Sequence, residues 1–412
     1  MHPAYGLKDL FMHPETAAAN GSRAPLLALA TGAFGIGVTE FAPMGMLPVI
    51  AQDLQVSIPS AGLLISAYAI GVVLGVPLMT LTTGRVPRRT LLIALAAIFT
   101  IGNLLAAISN SYGMLLAARI VTSLNHGAFF GVGSVVAASL VSPERRAAAV
   151  AAMFMGLTIA NVVGVPVATW AGDVLGWRAS FWGIAALGLL TIAALRLTLP
   201  AMPASAGGDV RAELGVLARR DVLAALGLTV LGSSAMFTVF TYIAPILRDE
   251  TGASIGFITA MLVTYGVGLT VGNWLGGRYA DRSVDRTLLV TLAVLSATLV
   301  ALALLMPYKV PTAILVFIWG IASFALVPPL QLRVMTAAAQ APNLASSMNI
   351  GAFNLGNAIG AGLGGGVIAG GLGYPAVAIA GAVTSALGFI AVYASRRTKV
   401  DAATFSECVE PG

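Results

Sequence analysis

Apolar runs of about 18 residues or more recur from one end of this chain to the other, and they limit its fold more tightly than anything else in it. In a helix rising 1.5 Å per residue, each run is long enough to cross a hydrocarbon core of about 30 Å. Of the 412 residues, 58% are hydrophobic and only 9% are charged, with mean hydropathy +0.93. An ordinary soluble domain is about one-quarter charged, so this chain cannot cover a water-facing surface. A transmembrane barrel would need short segments alternating in polarity, and none stands out. The predicted class is an all-α membrane protein.

Cutting the runs at charges, prolines and glycine clusters predicts twelve spans. They lie at about 25–48, 60–82, 90–109, 112–140, 146–171, 179–199, 222–246, 253–277, 287–306, 310–333, 343–368 and 373–395. A polar stretch from Pro200 to Asp221 divides them six and six. The predicted organisation is therefore a tail at 1–23, a six-helix bundle at 24–199, a linker at 200–221, a second bundle at 222–395 and a tail at 396–412. Arg85-Val-Pro-Arg-Arg-Thr-Leu-Leu and Arg282-Ser-Val-Asp-Arg-Thr-Leu-Leu align 197 residues apart, each between the second and third span of its half. An internal repeat of this kind places a substrate site near the midplane between the halves.

The net charge of +6 and pI near 9.7 do not point to nucleic acid, because the basic residues lie beside apolar spans, where they orient the chain. With both termini cytoplasmic, all 22 fall in cytoplasmic loops, tails or span ends except Arg178, Arg248, Lys309 and the intramembrane Arg119. Residues 1–22 lack the basic start, short apolar run and cleavage site of a signal peptide, and are read as a cytoplasmic tail; a second Met-His-Pro makes Met12 an alternative start. The single cysteine, Cys408, allows no intrachain disulfide.

Between Arg23 and Asp53 the only charge is Glu40, in Gly35-Ile-Gly-Val-Thr-Glu-Phe-Ala-Pro-Met-Gly45 near mid-span. A charge there costs at least about 2.5–3.5 kcal/mol on insertion scales, so an intramembrane acid needs a partner or a wet cavity. Two readings stand: a proton site, whose occupancy follows hydration and partners, or a neutral hydrogen-bonded acid that only fixes packing. Arg119 and His126 lie two turns apart in the fourth span, and by rise per residue Glu40 falls between them in depth, within about 10 Å vertically of both. Arg119, always charged, would hold Glu40 anionic, grip an anionic substrate group or bond backbone carbonyls; His126 would exchange protons or simply pack.

Glycines four apart, Gly268, Gly272 and Gly276 and again Gly356, Gly360 and Gly364, predict close helix contacts. Prolines within spans, such as Pro43, Pro77, Pro166, Pro245, Pro328 and Pro329, predict kinks whose freed carbonyls need other donors. Gly252-Ala-Ser-Ile-Gly256 matches a nucleophile-elbow pattern but follows no strand, and Gly360-Ala-Gly-Leu-Gly-Gly365 matches a dinucleotide pattern but lies inside an apolar span. No metal-ligand cluster and no phosphate loop with lysine is evident, so no enzyme, cofactor or metal is expected.

Twelve spans in two repeats with basic loops after the second and eighth resemble the major facilitator superfamily over residues 24–395. Its loop signature stands as Gly277-Arg-Tyr-Ala-Asp281-Arg282-Ser-Val-Asp-Arg286, and in the first half as Thr80-Leu-Thr-Thr-Gly84-Arg85-Val-Pro-Arg-Arg89, with glycine in place of the acid. Arg119-Ile-Val-Thr-Ser-Leu-Asn-His-Gly127 resembles the family's fourth-helix arginine motif, associated with proton coupling. Gly156-Leu-Thr-Ile-Ala-Asn-Val-Val-Gly164-Val-Pro166 resembles its fifth-helix antiporter motif, with Gly164 and Pro166 at the bend. Thr39-Glu40-Phe41, Asn125-His-Gly-Ala-Phe-Phe-Gly-Val-Gly133, Gly176-Trp-Arg-Ala-Ser-Phe-Trp182 and Phe353-Asn-Leu-Gly356 resemble the arabinose-efflux and chloramphenicol-exporter branch.

The resemblance implies a monomeric carrier in a bacterial inner membrane that exports a small amphipathic molecule against protons, using the proton gradient and no cofactor. A sugar exporter is the alternative within the class, and a non-transporting sensor the alternative outside it. The cavity would be lined by spans 1, 4, 7 and 10, with Met44, Asn125, Phe237, Tyr242 and Gln331 facing substrate and Glu40, Arg119 and His126 carrying the proton. The loop residues Arg85, Arg89, Gly277, Asp281, Arg282 and Arg286 would serve conformational change.

Overall fold

Ser57, Ser111, Ser254 and Ser283 each stand at the start of an apolar run, and each accepts a hydrogen bond from a backbone N–H three residues on, at Ser60, Met114, Phe257 and Arg286. Side-chain caps of this kind satisfy the donors that a helix leaves open at its first turn. A computed structural model describes residues 14–83, 85–202, 215–216, 218–340 and 342–409. The alternative start, Gly84 and most of the polar linker, including Asp209, Arg211 and Glu213, lie outside the described residues.

The helices are α1 (Pro14–Gly45), α2 (Leu47–Asp53), α3 (Ile58–Thr82), α4 (Arg88–Ala107), α5 (Tyr112–Ser123), α6 (His126–Ser139), α7 (Arg146–Ile159), α8 (Val165–Val174) and α9 (Trp177–Thr198) in the first half. The second half holds α10 (Arg220–Phe240), α11 (Ile243–Asp249), α12 (Ile255–Ala280), α13 (Val284–Leu305), α14 (Lys309–Ala325), α15 (Val327–Ala337), α16 (Pro342–Ala369) and α17 (Gly373–Val409). Grouped by interruptions within one crossing, they make the twelve predicted spans. Among the described residues, eleven segments are long and apolar enough to cross a membrane. The twelfth, α16, has the length but carries Asn349, Asn354 and Asn357 and many glycines, which dilute its hydropathy.

The two halves repeat one packing scheme. In the first, α1 lies on α7, α4 on α9 and α3 on α5; in the second, α10 lies on α16, α13 on α17 and α12 on α14. Matching glycines make matching approaches. A Cβ at Gly156 would stand 2.0 Å from the Ala30 carbonyl oxygen, and one at Gly356 would stand 2.5 Å from that of Val230, so only hydrogen fits at either crossing. Between the halves, α3 runs along α16, and α8 with the turn before it runs along α12.

That turn, Ala160–Gly164, is a π-helical turn between α7 and α8. Pro166 cannot donate to the carbonyl four residues back and its ring crowds that carbonyl, so the helix widens at this place. The bend expected at Gly164 and Pro166 is this turn. Its outer surface meets α12 where Gly266 lies against the Asn161 carbonyl, a Cβ there falling 2.5 Å from the oxygen.

At the end of the bundle away from the chain termini, Arg178 Nη1 donates to Asp53 Oδ2 at 2.7 Å, its Nε donates to the Ser109 carbonyl at 2.8 Å, and Trp177 Nε1 donates to Asp53 at 3.1 Å. These bonds tie α2 to α9 and to the α4–α5 loop, and they hold the Asp53 carboxyl below the usual carboxylate range. Stability from a carboxyl lowered in this way is present above its unfolded value of about 3.9 and is lost as pH falls through the folded one. Asp53→Asn is expected to lower thermal stability at neutral pH by no more than about 1 kcal/mol, since the pair is largely exposed. In melts of the purified protein, the gap between variant and parent closes below about pH 4.

Candidate functional site

The site begins with a proline. Pro43 has no N–H to give the carbonyl of Thr39, so that oxygen is left without a helical partner inside the membrane. Arg119 of α5 fills the vacancy, its Nη1 donating to Thr39 O at 2.6 Å. The Thr39 hydroxyl donates to Asn103 Oδ1 of α4 at 2.7 Å. The next residue along α1 is Glu40, 7% exposed, whose carboxylate therefore sits beside an anchored kink.

Around Glu40 stand groups from four other helices. His126 Nδ1 is 3.9 Å from Glu40 Oε2 and 3.1 Å from the Tyr68 hydroxyl of α3. The Tyr68 ring also lies under Arg119, with the guanidinium carbon 4.2 Å from its centroid, a cation–π contact in a dry setting. From the other half, Asn357 Nδ2 of α16 reaches Glu40 Oε1 at 3.5 Å. Ser233 of α10 donates to Asn357 Oδ1, which turns the amide N–H groups of Asn357 toward the carboxylate.

Glu40, Arg119 and His126 are thus brought together, and of the readings open for Arg119 the structure shows the bond to a backbone carbonyl. No salt bridge joins Arg119 to Glu40 among the described residues; the guanidinium goes to the carbonyl that Pro43 frees. Between Arg119 and His126 the helix is interrupted only by a turn at Leu124–Asn125, whose residues keep right-handed helical dihedrals, and both side chains face Tyr68, which bridges them. Nε and Nη2 of Arg119, with Oδ1 of Asn125 and of Asn354, are buried without a hydrogen-bond partner among the described residues. They are unused polar capacity inside the bundle.

The helices interrupted within a crossing include all four expected to line the cavity. Spans 1, 4, 7 and 10 divide as α1–α2, α5–α6, α10–α11 and α14–α15, whereas span 5 makes the π turn and the others run through. Pro48, Pro245 and the Pro328–Pro329 pair stand just after three of these breaks, and Asn125 marks the fourth. Discontinuous spans expose backbone polar groups where a substrate can use them.

The expected substrate-facing residues disperse. Phe237 packs its ring 5.9 Å from that of Phe41, which also meets Phe240 at 6.1 Å, so an aromatic wall follows Glu40. Phe240 continues it by stacking on Tyr265 at 4.5 Å. Met44 and Asn125 are fully buried, Asn125 donating to the Thr122 carbonyl at 2.6 Å. Tyr242 instead donates to the Ala361 carbonyl at 2.8 Å and lies against Gly62 of α3 and Gly364 of α16, in the seam between the halves. Gln331 joins a separate network toward the termini, donating to Ser346 and accepting from Asn349, which accepts in turn from Thr229.

In the loops, Asp285 rather than Asp281 forms the ion pair, with Arg333 at 2.6 Å. Arg89 donates to the Arg196 carbonyl, tying α4 to the end of α9. Arg85, Gly277 and Arg286 make no such tie among the described residues, and Arg282 lies over the Tyr279 ring. On the face away from the termini, Arg248 of α11 pairs with Asp173 of α8 at 2.9 Å and closes the two halves together.

The model of the Major Facilitator Superfamily matches residues 29–350 and 226–407. The chain belongs to that superfamily. The inner membrane transport protein YdhP of Escherichia coli strain K12 is 56% identical over 373 residues, covering 90% of this chain and 96% of that one. A chloramphenicol resistance protein of Streptomyces lividans is 35% identical over 82% of this chain and 87% of its own, in line with the branch that Thr39-Glu40-Phe41 and the α6 motif suggested. A D-xylose-proton symporter shares the fold at TM-score 0.71 and 15% identity, covering 88% of this chain and 96% of the symporter. This chain is accordingly a multi-pass membrane transporter of that superfamily.

Sequence reasoning missed Tyr68, Asn103, Ser233 and Asn357. Asn357 carried the same signal as Glu40, a costly polar side chain in an apolar span. Tyr68 carried none, since an aromatic ring is ordinary in a membrane helix.

Proposed function

We propose that this transporter is a proton-coupled antiporter that exports a small amphipathic compound from the cytoplasm by alternating access. The observation that carries the reading is Glu40, a buried acid at a helix kink, flanked by His126 within its own half and by Asn357 across the seam. A proton gained or lost there changes a hydrogen bond between the halves, which is what coupling requires. The aromatic wall of Phe41, Phe237 and Phe240 suits an apolar ligand body, and the Arg119 and Asn125 atoms that have no hydrogen-bond partner among the described residues suit a polar end.

In this reading, residues 24–199 and 222–395 are the two rocking bundles, joined by 200–221. The tails at 1–23 and 396–412 lie in the cytoplasm of a bacterial cell, and the carrier acts as a monomer. Proteoliposomes loaded in turn with chloramphenicol, arabinose and a cationic dye, with and without an imposed pH gradient, test it. Gradient-driven movement of chloramphenicol or dye is expected. Movement of arabinose alone would make it a sugar exporter, and binding without accumulation would make it a sensor.

Asn357→Ala removes the cross-seam donor while leaving Glu40 and His126 in place. Gradient-driven transport is expected to fall about tenfold, equivalent to about 1.4 kcal/mol, with a flatter dependence of rate on pH. Initial rates across a pH series check this, and a curve that matches the parent's would remove Asn357 from coupling.

A further inference from the structure

Gly268, Gly272 and Gly276 draw α12 onto α14 almost backbone to backbone. A Cβ at these positions would stand 2.6, 2.2 and 2.5 Å from the carbonyl oxygens of Phe317, Ile321 and Ala325. Helix α13 does not follow. It packs mainly on α17 and α14 and meets α12 sparsely, so a groove of about 450 Å³ remains between α12 and α13, floored by Ile321, Ala322 and Ala325 of α14. That volume is within the range of about 300–1,000 Å³ for pockets that bury a small ligand.

The groove lies on the outside of the bundle. Tyr279, Val290 and Val294 on its walls are 49%, 64% and 40% exposed, so in a membrane they face hydrocarbon rather than the central site. Its mouth, at the end nearest the chain termini, carries Arg282 and Arg286. Asp285 is committed to Arg333, which leaves Arg278, Arg282 and Arg286 against Asp281 and a local positive surplus. An apolar slot with guanidinium groups at the membrane surface is chemically matched at both ends to a phospholipid, and its charge selects an anionic one.

We infer that the α12–α13 groove is a binding site for one anionic phospholipid, an acyl chain lying against α14 and the phosphate held by Arg282 and Arg286. The site is independent of Glu40 and of the direction of transport. It gives the loop arginines a ligand, and it fills space that the glycine contacts of α12 leave open beside a helix that also lines the seam between the halves.

Native mass spectrometry of the delipidated full-length protein in detergent, titrated with phosphatidylglycerol, tests the inference. One phosphatidylglycerol should be retained, with occupancy falling about tenfold in the Arg282→Gln/Arg286→Gln variant but not in Arg145→Gln/Arg146→Gln, which removes the same charge elsewhere on the same face. Val290→Trp, which narrows the groove and leaves the arginines alone, should also weaken retention. Phosphatidylethanolamine should be held more weakly, and millimolar inorganic phosphate should not displace phosphatidylglycerol. Equal loss in the two arginine pairs, equal retention of the zwitterionic lipid, or no effect of Val290→Trp would overturn the lipid site; displacement by phosphate alone would reassign it to a free anion.

Discussion

Glu40→Gln is expected to abolish proton-driven transport while leaving the protein folded and inserted. Glutamine has nearly the shape of glutamic acid and can still accept from Asn357 and meet His126, so the kink, the seam and the packing of α1 should survive. It cannot gain or lose a proton. Transport in vesicles with an imposed pH gradient should fall at least tenfold, about 1.4 kcal/mol or more in the driven step, whereas exchange of labelled for unlabelled substrate without a gradient should persist. Glu40→Asp keeps a titratable carboxyl one methylene short of His126 and Asn357 and should retain part of the activity. Gradient-driven export at the parent's rate by the glutamine variant would sink the proposed role. A loss of transport accompanied by loss of inserted protein would instead mark Glu40 as a packing residue.

Different parts of this molecule were legible in the sequence for different physical reasons. The lipid core imposes helices of one length and keeps basic residues to one side, so twelve spans and the repeat about Arg85 and Arg282 could be read directly. Proline and glycine act through the backbone, and their effects were equally plain: Gly268, Gly272 and Gly276 make the close contact they promised, and Pro166 sits at its bend. Rise per residue also placed Glu40, Arg119 and His126 at a common depth. What depth cannot give is rotation about the helix axes and the choice among competing partners. Arg119 had an acid and a freed carbonyl within reach, and the carbonyl prevails because Pro43 gives it no alternative donor. The break before His126 has no proline to announce it. Tyr242 and Gln331 were assigned to the cavity because their spans were, yet each is held by a hydrogen bond to α16 that spacing does not reveal.

The competition at Arg119 yields a prediction that separates a structural role from a coupling one. Arg119→Leu leaves the Thr39 carbonyl buried without a donor, at a cost of about 1–3 kcal/mol, and it also removes a charge near Glu40. Both losses should lower transport steeply, so the single variant alone cannot distinguish them. Pro43→Ala restores an N–H four residues after Thr39 and straightens α1, giving that carbonyl its ordinary helical partner. In the Pro43→Ala/Arg119→Leu protein, thermal stability should therefore recover most of what Arg119→Leu lost. Transport should not recover, if the guanidinium also sets the electrostatics around Glu40 and the kink brings it against Asn357. Full recovery of both would make Arg119 a backbone clamp and nothing more. Recovery of neither would mean that the stacking of Arg119 on Tyr68, rather than its bond to Thr39, supplies its contribution to stability, since the proline change cannot replace the ring contact.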